Sequence, residues 1–302
     1  MKHLRILTYV AEVARHGAIR RAAERLNITP SALTRQIQDL EYELGTPIFE
    51  RVAQGMRLNA AGELLVRHIR DQRADLERVR SQIADLSGVR RGHVALACSQ
   101  AFVTHVVPDE VEAYRAQFPQ VTFSVQVRDH AEAVAALARF EADLALVLQP
   151  PPSAEMQVLF SCRQTLCALV RAGHPLAAEA GPVRLRDCLA HPLALPDRSL
   201  AIRHHLDEAL ARRGTPLAPV IESSSLEFLR NLVLREDAVS LQVPSGIPDD
   251  PRLCSRPIDP RDLDPMALIL AQLRGRTLPV ATAKFADRFA GRLHQRYGGP
   301  ER

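Results

Sequence analysis

Between Ala60 and Ser87 the chain has no proline and a single glycine, Gly62, and its apolar positions fall on one narrow track. Gly62, Leu65, Ile69, Gln72, Leu76, Val79, Ile83 and Leu86 follow one another at alternating spacings of three and four, with Arg and Asp/Glu between them. A stripe this narrow on a helix about 40 Å long suits the seam of a coiled coil better than a globular core, which wants a wider apolar face. A linker and dimerisation helix is therefore expected over 60–88. Its contact face would be Leu65, Ile69, Gln72, Leu76, Val79, Ile83 and Leu86, with Gln72 fixing register. The alternative is one long helix packed on its own domain. On either reading the helix separates a front segment, 1–59, from a body, 89–302.

The front segment reads as short helices. Leu4, Leu7, Val10, Ala11 and Ala14 recur at helical spacing up to Gly17, and a second helix, about Ala18–Leu26, buries Ala22, Ala23 and Leu26 before a turn at Asn27. Thr29-Pro30 then opens a third helix, with Thr as N-cap and Pro where a missing N–H costs nothing. Leu33, Ile37 and Leu40 face inward, while Ser31, Thr34, Arg35 and Gln38 face out, and Gly45 ends the helix. Two small-residue helices joined by a tight turn, the second showing short polar side chains, are what a helix-turn-helix needs to enter a major groove. Phe49-Glu50-Arg51, a turn at Gln54-Gly55 and Met56-Arg57-Leu58 read as a β-hairpin wing. A generic three-helix bundle is the plainer alternative. Residues 1–91 carry 16 Lys+Arg against 11 Asp+Glu, the remainder 23 against 24, so the surplus positive charge that would favour a polyanion lies in front.

After Gly88–Gly92, read as a hinge, strand and helix patterns alternate. Strands are expected at Val94–Cys98, Val121–Val127, Leu144–Leu148, Val158–Phe160, Leu166–Val170, Pro192–Leu195, Val220–Glu222, Val239–Val243 and Met266–Leu270. Helices are expected from the first strand to about Phe118, and at His130–Phe140, Leu200–Arg213, Leu226–Arg235 and Val280–Gln295. Such alternation predicts an α/β body with a mostly parallel sheet. Ser224-x-x-Glu227 reads as a capping box for the helix at Leu226.

Composition narrows the function. The chain is 46% apolar and 25% charged, with net charge +4, which are values of a globular protein. No run nears the roughly 20 apolar residues of a membrane helix, and the start carries no cleavage-site pattern, so a cytoplasmic protein with no membrane partner is expected. The five cysteines, Cys98, Cys162, Cys167, Cys188 and Cys254, form no CxxC or metal-spaced cluster. They read as buried thiols, with a redox pair at Cys162 and Cys167 as the alternative. No phosphate loop, Gly-x-Ser-x-Gly or His-Glu-x-x-His occurs, and His204-His205 diverge by about 100° on a helix. No catalytic residue, metal or cofactor is therefore predicted.

Taken in order, Arg21-Ala22-Ala23-Glu24-Arg25-Leu26-Asn27, Pro30-Ser31-Ala32-Leu33-Thr34-Arg35-Gln36-Ile37, Leu40-Glu41, Leu44-Gly45, Phe49-Glu50-Arg51 and Leu58-Asn59-Ala60-Ala61-Gly62 resemble the LysR-type transcriptional regulators. Phe118-Pro119-x-Val121, Asp143-Leu144-Ala145-Leu146 and Gly173-His174-Pro175-Leu176 extend the resemblance into the body. The chain departs from the family's pattern at Ala18, which stands where a Ser usually caps. It departs also at Pro30 for Gln, at Gln54 for a wing Arg, and at Glu236-Asp237-Ala238 for Gly-x-Gly.

The resemblance implies an N-terminal all-α winged helix-turn-helix (1–59), a pairing helix (60–88) and an α/β effector domain (89–302) like a type 2 periplasmic binding protein. Its first lobe would be 92–163 with 267–302, and its second 164–266. It implies a homodimer assembling into a homotetramer on double-stranded DNA, reading an interrupted palindrome with a T…A signature, and a small-molecule effector that switches DNA bending. Candidate DNA-binding residues are Thr29, Pro30, Ser31, Thr34, Arg35, Gln38, Arg51 and Arg57. Candidate effector-binding residues, at strand ends and helix starts, are Ser99, Gln100, Gln149, Asp197, Ser199, Ser223 and Ser224. Two other readings stand beside it: a solute-binding module whose front end only oligomerises, and an enzyme on an α/β scaffold.

Overall fold

Alanines decide how the front of the chain packs. Helices α1 (Lys2–His16), α2 (Ile19–Leu26) and α3 (Pro30–Leu44) close around Ala22 and Ala23, both without solvent exposure, together with Val10, Val13, Leu33 and Ile37. Small side chains let the α2 backbone approach its neighbours closely. Asn27 takes the left-handed conformation (φ 53°) and returns its N–H to α2, so the turn to α3 needs only Ile28 and the capping Thr29. A hairpin follows, β1 (Phe49–Val52) and β2 (Gly55–Leu58), antiparallel with Glu50 opposite Arg57. Helix α4 (Ala60–Leu86) completes this part. In the computed structural model the described residues are 2–52, 55–86, 91–178 and 180–298. Gln54 at the expected wing turn, residues 87–90 of the expected hinge and the side chain of Leu86 lie outside them. The chain divides into two compact units, 1–80 and 81–302, so the front unit takes in most of α4, where the sequence alone placed a boundary at residue 59.

Two glycines of the front unit have no substitute. Gly55 has φ 130°, and a Cβ there would lie 2.2 Å from the carbonyl oxygen of Gly17. At Gly62 a Cβ would lie 2.1 Å from the carbonyl oxygen of Ile48, so α4 seats directly against the strand entering the wing.

In the second unit the chain runs β3 (Gly92–Cys98), α5 (Val106–Gln117), β4 (Val121–Val127), α6 (His130–Ala138), β5 (Leu144–Leu148) and β6 (Met156–Gln164). It continues through β7 (Cys167–Arg171), α7 (Leu185–Leu189), β8 (Ala194–Pro196), α8 (Ala201–Ala211), β9 (Ile221–Ser223), α9 (Leu226–Val233), β10 (Ser240–Gln242) and β11 (Leu253–Pro257). It ends with β12 (Met266–Leu273) and α10 (Val280–Tyr297). One sheet has the order β4-β3-β5-β12-β6; another is β10-β7-β11, beside the pair β8-β9.

The expectation of a mostly parallel sheet needs correction. Strand β3 is parallel to β4 and β5, but β12 is antiparallel to both β5 and β6, and β7 is antiparallel to β10 and β11. The reason is the double crossing. Strand β6 carries the chain from the first lobe to the second and β12 carries it back, so the returning strand runs against the outgoing one. The single helix expected up to Phe118 is also broken: a short 3-10 turn at Gln100–Phe102 precedes α5.

The core of the first lobe is aromatic. Tyr114 packs edge-on against Phe285 of α10 with ring centroids 5.2 Å apart, and its hydroxyl donates to the carbonyl of Ala281 at 3.1 Å. A buried tyrosine hydroxyl with a partner is stabilising rather than costly.

Candidate nucleic-acid interface and ligand cleft

On α3 the inward stripe of Leu33, Ile37 and Leu40 is buried, which turns Ser31, Arg35 and Gln38 to solvent and leaves Thr34 half-buried. Of the predicted contact residues, the hydroxyls of Thr29, Ser31 and Thr34 are engaged at the start of the helix. Thr29 Oγ1 accepts from the N–H of Ala32 at 3.2 Å and lies 3.2 Å from the Ser31 hydroxyl. Thr34 donates its hydroxyl hydrogen to the carbonyl of Pro30 at 2.9 Å, so while that bond stands it offers only lone pairs and a methyl group. Arg35 and Gln38 are exposed, with donors long enough to reach phosphate or base edges.

The wing is bolted to this helix by residues whose role the sequence did not announce. Glu41 of α3 accepts through Oε1 from the N–H groups of Ile48 (2.8 Å) and Phe49 (3.2 Å). Asn59 donates to the carbonyl of Pro47 at 2.8 Å and accepts from the N–H of Gly62 at 2.9 Å, capping α4 while holding the strand that enters the wing. Both sit inside family motifs, where they read only as polar residues near helix ends. On the hairpin, Arg57 pairs with Glu50 at 3.1 Å. Because side chains alternate along a strand and directly paired residues share a face, Arg51 projects from the opposite face to Arg57. The structure does not bring the two arginines together.

Helix α4 divides the predicted seam. Val66 and Ile69 are buried in the front unit's own core and Leu65 packs against it, so Ile69 is already covered within one chain and is withdrawn from any exposed stripe. Beyond it Gln72 is exposed, as are Leu76 (41%), Val79 (41%) and Ile83 (60%). The reading of a helix packed on its own domain thus holds for the first half of α4, while the outer half leaves its apolar residues exposed.

The predicted ligand residues of the second unit are mostly engaged with other groups of the same unit. Ser99 is fully buried; its hydroxyl donates to Asp129 Oδ1 and accepts from the N–H of Leu148, so it is not a free donor. Gln100 reaches across to the second lobe, where its Oε1 accepts from the N–H of Leu226 at 2.6 Å. Gln149, at φ 41°, ties β5 to β12 through Ala267 on both its backbone and its carboxamide. Asp197 Oδ1 accepts from the N–H and hydroxyl of Ser199, closing the turn before α8. Ser223 accepts from the N–H of Ser225. The capping assignment shifts by one: Ser225, not Ser224, caps α9 through the N–H of Phe228 at 3.1 Å, because α9 starts at Leu226 and its third N–H is that of Phe228. Ser224 is exposed.

Four further residues of this region were missed. Asp129, at the end of β4, is largely buried, and that burial pushes its carboxyl above the ordinary range against the bonds from Ser99, His130 and Ala201 that favour the anion. A signal existed, since Asp129 follows a strand and precedes a helix just as Ser99 does. Arg230 of α9 is buried, donates to the carbonyl of Gly246 at 2.7 Å, and is held below its usual pKa by desolvation. Gln242 donates to the carbonyl of Leu226, and its buried Oε1 has no hydrogen-bond partner among the described residues; the same holds for the hydroxyl of Ser245.

Cys98, Cys167 and Cys188 are buried as expected, whereas Cys162 and Cys254 are only partly so. Burial, with Asp129 nearby, pushes Cys98 up to about 12; burial pushes Cys188 to about 12 and Cys167 to about 11, and raises Cys162. Thiolate is the reactive form, so the alternative of a redox pair at Cys162 and Cys167 loses its support. His204 is exposed and His205 bonds the carbonyl of Asp264. Among the described residues no three His, Cys, Asp or Glu side chains gather as metal ligands, and no helix is long and apolar enough to cross a membrane.

Residues 4–63 match the family described as bacterial regulatory helix-turn-helix protein, lysR family, and residues 87–293 match the LysR substrate binding domain. Among curated relatives, the transcriptional regulator BbuR of Bordetella bronchiseptica is 26% identical over 245 residues, covering 81% of this chain and 75% of its own length. The CbbR regulator of Sinorhizobium medicae is 34% identical over 174 residues, 58% of this chain and 55% of its own. A full-length OxyR variant from Pseudomonas aeruginosa superposes with a TM-score of 0.69 at 22% identity, covering 95% and 94% of the two chains. Full-length CbnR in complex with its target DNA gives 0.60 at 20% identity, covering 96% and 99%. At such identities these two structures speak for the fold.

Proposed function

This chain belongs to the LysR family of transcriptional regulators, and from that premise we propose that it reads an interrupted palindrome in double-stranded DNA under the control of a small molecule held between its two effector-domain lobes. That it is a DNA-binding regulator with an effector-binding domain follows from the two family matches, which together take in most of the chain. The finer reading rests chiefly on α3, whose outer face presents Arg35, Gln38 and Ser31 while its inner face is closed in the core. Arg35 and Gln38 make the first contacts, and Thr29 and Thr34 shape the helix start from which they act. Arg51 or Arg57 holds backbone phosphate from the wing.

Two copies pair through the outer half of α4, along Gln72, Leu76, Val79 and Ile83, and pairs associate into tetramers on two half-sites. The effector switches the assembly by preferring one arrangement of it, since equal affinity for both would shift nothing.

Capture of bound DNA across a genome, with footprinting of the strongest site, tests this reading. The expected result is an interrupted palindrome that is lost when Arg35→Ala is substituted. Absence of an enriched site, or a footprint indifferent to Arg35→Ala, would remove α3 as the reading helix and favour a solute-binding module that only oligomerises.

A further inference from the structure

Two helices of the second lobe begin against side chains of the first. The N–H of Leu226, the first residue of α9, donates to Gln100 Oε1 at 2.6 Å; that of Ala201, the first residue of α8, donates to Asp129 Oδ2 at 3.4 Å. First-turn N–H groups have no acceptor within their own helix and carry the positive end of its dipole, so an acceptor supplied from elsewhere is strongly held. Neither helix supplies its own here. Ser225, the cap of α9, serves Phe228, and Leu200 at the start of α8 makes no side-chain cap.

Asp129 is braced from behind, and Gln100 is set in place by a local turn. Asp129 receives the Ser99 hydroxyl and the N–H of His130. Gln100 lies in the short 3-10 turn that breaks the chain after β3. Further contacts lie along the same junction. The His130 ring, on a backbone held at φ 48°, stacks on His204 one turn into α8 with centroids 5.1 Å apart. Arg230 of α9 reaches the Thr104 hydroxyl at 3.4 Å. Gly246 approaches Ala101 so closely that a Cβ would lie 2.8 Å from the Ala101 carbonyl oxygen.

We propose that Gln100 and Asp129 form a latch that holds the two lobes together without any ligand, so that α8 and α9 are released as one event. The proposal rests on the effector-domain reading, and it gives that domain a definite resting state. An effector acts on this protein by outcompeting an internal contact, and the strength of the latch sets how strongly it must prefer the switched arrangement. One acceptor against the start of each helix ties the release of α8 to that of α9.

The test is hydrogen exchange at single-residue resolution on the full chain, with neither DNA nor ligand. In Gln100→Ala, exchange is expected to quicken at least tenfold at Leu226 and also at Ala201, which Gln100 does not touch. Asp129→Ala should produce the reciprocal pattern, and Gln100→Glu, which keeps an acceptor in place, should leave both amides slow. A change confined to each variant's own partner would mean local fraying and would overturn the latch. No change, or a loss in Gln100→Glu equal to that in Gln100→Ala, overturns it too. The N–H of Leu146 in the core strand reports global opening; should Gln100→Ala quicken it, the reciprocal variant decides. Because DNA is absent, this result and that of the capture experiment stand or fall separately.

Discussion

The outer face of α3 and the junction between the lobes are both polar, yet they treat polarity in opposite ways. Arg35 and Gln38 stand in solvent, whereas Ser99, Gln100 and Asp129 are bonded to other parts of the same unit. A solvent-facing helix surface can leave its donors and acceptors open, because water satisfies them. At the junction most buried donors and acceptors are paired, since each left bare costs about 1–3 kcal/mol; among the described residues Gln242 Oε1 and the Ser245 hydroxyl are exceptions. Display suits the first, and internal pairing suits the second.

The comparison is broken most easily on α4, which belongs partly to a core and partly to the surface. Ile69→Ala should destabilise the front unit by about 2–5 kcal/mol, measured by urea unfolding. Ile83→Ala should leave that transition in place and weaken self-association in sedimentation. Equal effects on folding would show that the outer half is also packed within one chain. A smaller effect is expected at Arg35: Arg35→Ala should weaken specific binding by about 1–3 kcal/mol if it meets a base. If it meets phosphate instead, loss should be uniform across sequences and the salt dependence shallower by about one ion.

Acid sharpens the same contrast. A hydrogen bond from Arg261 holds the Asp259 carboxyl down at about 2, and Arg184 holds Asp262 lower still. A depressed carboxyl stabilises the fold at any pH above the unfolded value of about 3.9, and that contribution is lost as pH falls through the folded value. Asp129 works the other way, because its raised carboxyl takes a proton more readily when folded. Stability of the second unit in urea titrations should therefore begin to fall steeply only below about pH 4 and go on falling through about pH 2; a decline complete above about pH 4 would contradict the assignment. The smallest effect belongs to the wing. Removing the exposed pair in Glu50→Ala should change stability by less than about 1 kcal/mol, while DNA affinity holds or rises as Arg57 is freed.

How much could be read in advance differs between the regions for a physical reason. The front unit is built from local rules: Asn27 in a left-handed turn, Thr29 as cap, Pro30 in the first turn and a regular stripe of Leu33, Ile37 and Leu40. Each acts within a few residues and leaves a trace in order and spacing. The junction is built from distant pairs, Gln100 with Leu226 and Asp129 with Ala201, which no local pattern records. Ser99 and Gln100 were visible as strand-end polar residues; that one is buried and the other already paired was not. Ser225 escaped notice because three serines in succession leave a helix start uncertain by one residue. The reversal of β12 escaped it because strand direction depends on a crossing completed about a hundred residues after β6 begins.

Asn59 joins the root of α4 to the strand that enters the wing, with one amide on each. With Gly62 against Ile48 and with Val66 and Ile69 in the same core, the wing and the root of α4 form one base from which the helix extends as a lever. A helix of 27 residues extends about 40 Å, so a rotation of that base by only about 5° carries its far end roughly 3.5 Å. The gearing also runs in reverse: a displacement of a few ångströms at the tip returns to the wing as a small rotation. At the wing, a rotation of that size re-aims Arg51 and Arg57, which project from opposite faces of the hairpin.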